Sequence, residues 1–135
     1  MKQELEQQIA ERWPAWFDVH GSIQSTLMPF GFEHDDGWFN IVWHLCERLE
    51  SLVAQFERES GLEFKVLQVK EKFGGLRFYS NFTDEAISNA INDAEAESLK
   101  TCEECGKPGQ PNRGGWIKTL CAKHRSENNI DGQEF

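Results

Sequence analysis

The sequence predicts an α+β fold in which helices pack on a β-hairpin and a small metal-bound knuckle forms the C-terminal end. Three observations carry this reading. An apolar stripe at helical spacing runs from Trp38 to Phe56, two β-rich runs flank Gly74-Gly75, and two matched Cys/His pairs lie between 102 and 124. A chain of 135 residues suits one main core with a metal-supported appendage better than two independent cores. It divides into a helical and hairpin domain, 1–100, a zinc-knuckle subdomain, 101–125, and a polar tail, 126–135.

Leu5, Ile9, Trp13, Trp16 and Phe17 recur at helical spacing, and Pro14 kinks or ends this first helix. Residues 21–37 read as a connection rich in turn residues. From Gly37 to Ser60, Trp38, Ile41, Val42, Leu45, Leu49, Leu52, Val53 and Phe56 mark a long amphipathic helix, with Asp35 or Asp36 as its cap and Gly61 as its stop. Residues 63–73 and 76–82 then form the hairpin, with Gly74-Gly75 as a two-residue turn. Thr83 is positioned to cap a last helix, with Asp84 and Glu85 in its first turn, Ile87, Ala90, Ile91 and Ala94 on its buried side and its end near Leu99.

The net charge of −9 is unevenly placed: residues 1–60 carry −7, residues 61–100 carry −2, and residues 101–135 are neutral. An acidic field opposes non-specific binding to nucleic acid and favours a basic partner, because phosphate neutralisation supplies most non-specific affinity. The bland alternative is that acidity only keeps the chain soluble. Aromatic content of 12% beside 27% charged residues is a globular composition. With no apolar run of about eighteen residues and a polar, acidic start, the expectation is a cytoplasmic protein without a membrane partner.

Cys102-Glu-Glu-Cys105-Gly106 sets two thiolates at a spacing that lets one tight turn aim both sulfurs at a single ion. Cys121-Ala-Lys-His124 supplies a third thiolate and an imidazole at the same spacing. Together they make a Cys₃His set for one structural Zn²⁺ per chain, closed to water and substrate. The competing readings are unrelated Cys-rich turns or a redox dithiol, and the second matched pair weighs against both. Cys46 is the one cysteine left over, which disfavours a disulfide framework, and its place near the helical stripe marks it as an inert core residue. The linker 106–120 is rich in turn residues and buries little alone, so metal binding would supply most of its folding free energy.

With Gly74-Gly75 as the turn, Phe73 pairs with Leu76, Lys72 with Arg77, Glu71 with Phe78 and Lys70 with Tyr79. Leu67, Val69, Phe73, Leu76, Phe78 and Phe82 then face the core, while Gln68, Lys70, Lys72, Arg77, Tyr79 and Asn81 face outward. The opposed Lys72 and Arg77 call for an anion over them: the protein's own acidic half, a partner's carboxylates, or a phosphate. Lys70, Lys72, Arg77 and Tyr79 are accordingly the candidate partner-binding residues. Lys107, Arg113, Lys118, Lys123 and Arg125 could add a second basic cluster once the knuckle folds. No catalytic group stands out: His20, His34 and His44 read as surface or boundary residues, and Glu33, Asp35 and Asp36 are explained by capping.

Phe30-Gly31-Phe32-Glu33, Asp36-Gly37-Trp38-Phe39, the run Val69 to Tyr79, Cys102-x-x-Cys105-Gly-x-Pro-Gly109 and Gly115-Trp116 onward to Cys121-x-x-His124 resemble a family of small uncharacterised bacterial and prophage proteins. The likeness spans roughly residues 30 to 124. It implies a mobile-element setting and a recurrent pairing of hairpin with zinc knuckle, without an activity to transfer. That family often has a Cys near the position of His34, so metal binding is not extended to that loop. The sequence therefore points to a non-catalytic, acidic protein-interaction module with a structural zinc, such as an inhibitor, immunity protein or adaptor, and not to an enzyme. The alternative is a zinc-dependent nucleic-acid-binding regulator that uses the basic hairpin face.

Overall fold

The computed structural model describes residues 1–21, 26–112 and 114–127. The fold is α+β, as predicted. Helix α1 spans Gln3–Arg12, and Trp13 leaves helical geometry because the residue before a proline clashes with the ring in the α region. The chain then turns, with the Trp16 and Phe17 amides donating to the Trp13 carbonyl, which tucks Trp13, Trp16 and Phe17 into the core beside Ile9.

A short strand β1, Phe32–Glu33, lies within the segment read as a connection. It pairs in parallel with β2, Val66–Lys72, through Phe32 opposite Val69. Two residues are too few to show a strand period, and parallel partners lie far apart in sequence. A 3₁₀ turn at Asp36–Trp38 leads into α2, Phe39–Ser60, whose buried side is Ile41, Val42, Leu45, Cys46, Leu49, Val53 and Phe56. Gly61 stops it in the left-handed conformation with φ of 71°, donating to the Glu57 carbonyl.

The expected cap by Asp35 or Asp36 is not made. Neither carboxylate accepts from the helix start; Asp36 Oδ1 instead accepts from the Lys2 amide at 2.7 Å. The physical reason is that the Gly37 N–H is taken by the carbonyl of Glu103 at 2.6 Å, so a distant segment supplies an acceptor for this turn.

The hairpin forms with a corrected register. β3, Gly75–Ser80, pairs antiparallel with β2, placing Lys72 opposite Gly75, Glu71 opposite Leu76, Lys70 opposite Arg77 and Val69 opposite Phe78. The turn is Phe73-Gly74, with φ of 54° and 83°, one residue earlier than predicted. Gly75 is held in the strand against Leu99, whose Cδ2 would lie 3.3 Å from a Cβ there. Because both partners of each pair stay on their predicted sides, Val69, Leu76 and Phe78 still face the core. Phe73, however, is the exposed tip, Phe82 is 39% exposed, and a bulge between Val66 and Gln68 buries Val66 in place of Leu67.

Helix α3, Glu85–Ser98, is capped by Asp84, not Thr83: Asp84 Oδ1 accepts from the Ile87 amide at 2.8 Å, while the Thr83 hydroxyl lies 2.9 Å from that of Ser88. Ile87, Ala90, Ile91 and Ala94 are buried as predicted, and α3 lies on α2 and β3. One apolar cluster runs from Ile9 through α2 and the sheet to Ala94. After it come β4, Gln110–Pro111, and β5, Thr119–Leu120, paired antiparallel, then α4, Ala122–Glu127. Ser126 and Glu127 thus belong to a helix rather than to the predicted tail, the rest of which lies outside the described residues, as does Arg113. No helix among the described residues is long and apolar enough to cross a membrane.

Candidate metal centre

The β4–β5 ribbon brings the two ligand turns together. The first begins at Cys102, whose amide donates to the Lys107 carbonyl at 2.7 Å, and closes with the Gly106 amide on the Cys102 carbonyl at 2.9 Å. Gly106 has φ of 80°, which a side chain would disfavour. The second opens α4, with the Arg125 amide donating to the Cys121 carbonyl, so Cys121 and His124 stand three residues apart on one helical face. The ribbon closes tightly at Gly109, where a Cβ would come within 2.8 Å of the Leu120 backbone. Within the loop, the Asn112 side chain organises the backbone: its Nδ2 donates to the Trp116 carbonyl at 2.8 Å and its Oδ1 accepts from the Lys118 amide at 2.7 Å.

The ligand atoms of Cys102, Cys105, Cys121 and His124 all lie within 4.8 Å of one another and could hold a metal ion. Cys105 and Cys121 sulfurs are 3.7 Å apart, Cys102 Sγ is 3.6 Å from His124 Nδ1, and Cys121 Sγ is 3.2 Å from the same nitrogen. A tetrahedral zinc with ordinary bond lengths has edges of about 3.8 Å between sulfurs and about 3.6 Å between sulfur and nitrogen. The donor set fits such an ion with little movement, and none of the four cysteines is in a disulfide. Partial burial acts to raise the Cys121 thiol, but hydrogen bonds with His124 and with the Cys102 and Cys105 sulfurs bring it down to about 6. Burial pushes the Cys102 thiol up, and a cation would reverse that by favouring thiolate. The other imidazole nitrogen of His124 lies 3.8 Å from Glu127, a carboxylate placed to orient the ring.

Hydrogen bonds dock this centre on the main domain. The Trp38 indole donates to the Thr101 carbonyl at 2.9 Å, and the Thr119 hydroxyl donates to the Gly74 carbonyl at 2.6 Å. Between them sits Glu103, only 4% exposed, whose carboxylate accepts from the Asp35 amide at 3.0 Å and whose backbone binds both Gly37 and Thr119. Burial raises its carboxyl to about 7. Nothing in the sequence marks Glu103 beyond its place between two ligands.

His34 corrects the sequence reading: it is 4% exposed, packed on Phe32 and Trp38, with Nδ1 2.8 Å from the Asp35 carbonyl. Burial lowers its pKa to about 4. His20 and His44 are exposed, as expected. Cys46 is buried in α2 and burial pushes its thiol up, which matches an inert core residue. Asp35 lies 3.8 Å from Lys118 rather than at a cap.

The predicted partner-binding residues share the outward side of the hairpin. Lys70 opposes Arg77 and Gln68 opposes Tyr79, so the opposed cations are Lys70 and Arg77 instead of Lys72 and Arg77. Arg77 lies 3.9 Å from Glu95 of α3, which places its internal carboxylate on the third helix and not in the acidic N-terminal half. Comparison with family models, curated proteins and solved structures finds no match to the chain.

Proposed function

We propose that this chain is a non-catalytic binding module in which Cys102, Cys105, Cys121 and His124 take one zinc ion as a cross-link between the two ligand turns. The convergence of these four donors within 4.8 Å carries the reading. An ion held by all four has no open position for water or substrate, so it supplies folding free energy and no Lewis-acid chemistry toward a ligand. The binding role rests on charge: residues 1–60 carry −7 and would select a basic protein surface, in the manner of an inhibitor, immunity protein or adaptor from a mobile element.

Zinc analysis of protein purified without chelators tests the first half, with one zinc per chain expected. Affinity purification from the native host, with the eluate analysed for protein and nucleic acid, tests the second. A basic protein released at high salt is the expected result; an eluate without any protein partner would count against the binding role.

A further inference from the structure

The hairpin tip and the loop before β5 together present two large aromatic rings to solvent. Phe73 is 67% exposed and Trp116 is 80% exposed. Phe73 holds φ of 54°, a conformation that costs stability for a bulky side chain and that glycine adopts freely. It gives up burial as well, so folding gains little from a phenylalanine there, and strain at an exposed residue directs attention to function. The two rings belong to neighbouring pieces of backbone. A Cβ at Gly74, the residue after Phe73, would lie 3.0 Å from Cγ2 of Ile117, the residue after Trp116, and Thr119 ties the two segments together through Gly74.

One cation stands over the first ring. Lys72 Nζ lies 5.6 Å from the centre of the Phe73 ring, Lys70 stands on the same side of β2, and neither forms an ion pair among the described residues. Lys118 and Arg77 each have one carboxylate at the limit of pairing distance, Asp35 at 3.8 Å and Glu95 at 3.9 Å. The one carboxylate of the tip itself, Glu71, is turned onto the Gly74 amide at 2.7 Å.

We propose that this tip is a stacking platform for an unpaired nucleic-acid strand, with base faces on Phe73 and Trp116 and phosphates on Lys70 and Lys72. Open ring faces beside lysines are the chemistry that holds single strands without reading sequence. A duplex keeps its base faces covered and is not a ligand of this surface. Since the whole chain carries −9, stacking is the larger contribution and phosphate neutralisation the smaller, so the salt dependence of binding is shallow. The surface is distinct from the acidic half that selects a basic protein, and it does not depend on that reading.

The test uses the full, zinc-loaded chain with fluorescein-labelled oligothymidylate and oligouridylate, and a hairpin duplex of matched length as comparison. The single strands should bind at low salt and quench tryptophan emission. Phe73→Gly should raise the melting temperature yet weaken strand binding about fivefold or more, and Trp116→Ala should weaken it similarly. Leu62→Ala, at an exposed site on another part of the chain, should leave binding unchanged. No binding by the wild-type chain, equal binding of duplex, or affinity unmoved by both tip variants would overturn the proposal. Self-association lost in those variants, without strand binding, would assign the tip to a protein contact instead.

Discussion

The Gly37 amide donates to the Glu103 carbonyl at 2.6 Å, and a Cβ on Gly37 would overlap the carbonyl oxygens of both Cys102 and Glu103. The entry to the longest helix and the first ligand turn are therefore in backbone-to-backbone contact. Backbone atoms cannot move aside as a flexible side chain would. Gly37→Ala should cost about 3 kcal/mol in urea unfolding and weaken zinc binding about tenfold by displacing Cys102. A near-neutral substitution, measured by both competition with a chelating dye and urea titration, would show that this contact does not hold the two segments together.

Stripping the metal should divide the molecule's response. Cys102 and Leu120 are buried but stand outside the main apolar cluster, which holds Ile41, Leu49 and Phe56. With chelator, hydrogen exchange should accelerate across residues 101–127 while α2 and the hairpin strands stay protected. Cys121→Ser should reproduce this pattern without chelator. Uniform loss of protection would mean that the core cannot stand without the cation.

His34 makes a pH prediction with a definite sign. Its folded pKa of about 4 is below the ordinary 6.5, so the unfolded chain binds the extra proton first as pH falls. The stability conferred by neutral, buried His34 is complete above pH 6.5 and is lost progressively down to pH 4, amounting to about 3 kcal/mol. Urea titrations of the wild-type chain and His34→Gln across that window isolate the effect, because any release of a bound metal would contribute to both. Parallel stability curves would refute the assignment.

Ser98 closes the hairpin to α3 through one hydroxyl. It accepts from the Leu76 amide at 2.9 Å and donates to the Glu95 carbonyl at 2.6 Å, in a position that is fully buried. Ser98→Ala leaves the Leu76 N–H without an acceptor and should cost about 2 kcal/mol. Thermal denaturation reads this directly, with accelerated exchange at the Leu76 amide as the local signature.

The parts of this structure legible in the sequence are those with local causes. The α2 stripe repeats over many turns, Gly61 supplies a stop that needs a left-handed residue, and the Cys/His spacings bring four donors to one place. The hairpin was legible only in part. Phe73-Gly74-Gly75 offers two overlapping turns, and the choice rests on how Gly75 fits against Leu99 and Arg77, a contact made across the fold. The same applies to the α2 entry. Asp35 and Asp36 are good caps by composition, yet Glu103 occupies the amide of Gly37 from 66 residues away in the sequence. His34 looked like a boundary residue because no periodic pattern marks the segment that buries it beneath Phe32 and Trp38.

The bond from the Thr119 hydroxyl to the Gly74 carbonyl joins positions 45 residues apart. A chain made from its N-terminus thus carries both hairpin strands before the group that fastens their turn has been added. Translation interrupted ahead of Thr119 would release a molecule with both strands and an unfastened tip, and would leave quality control a surface by which to tell unfinished copies from finished ones.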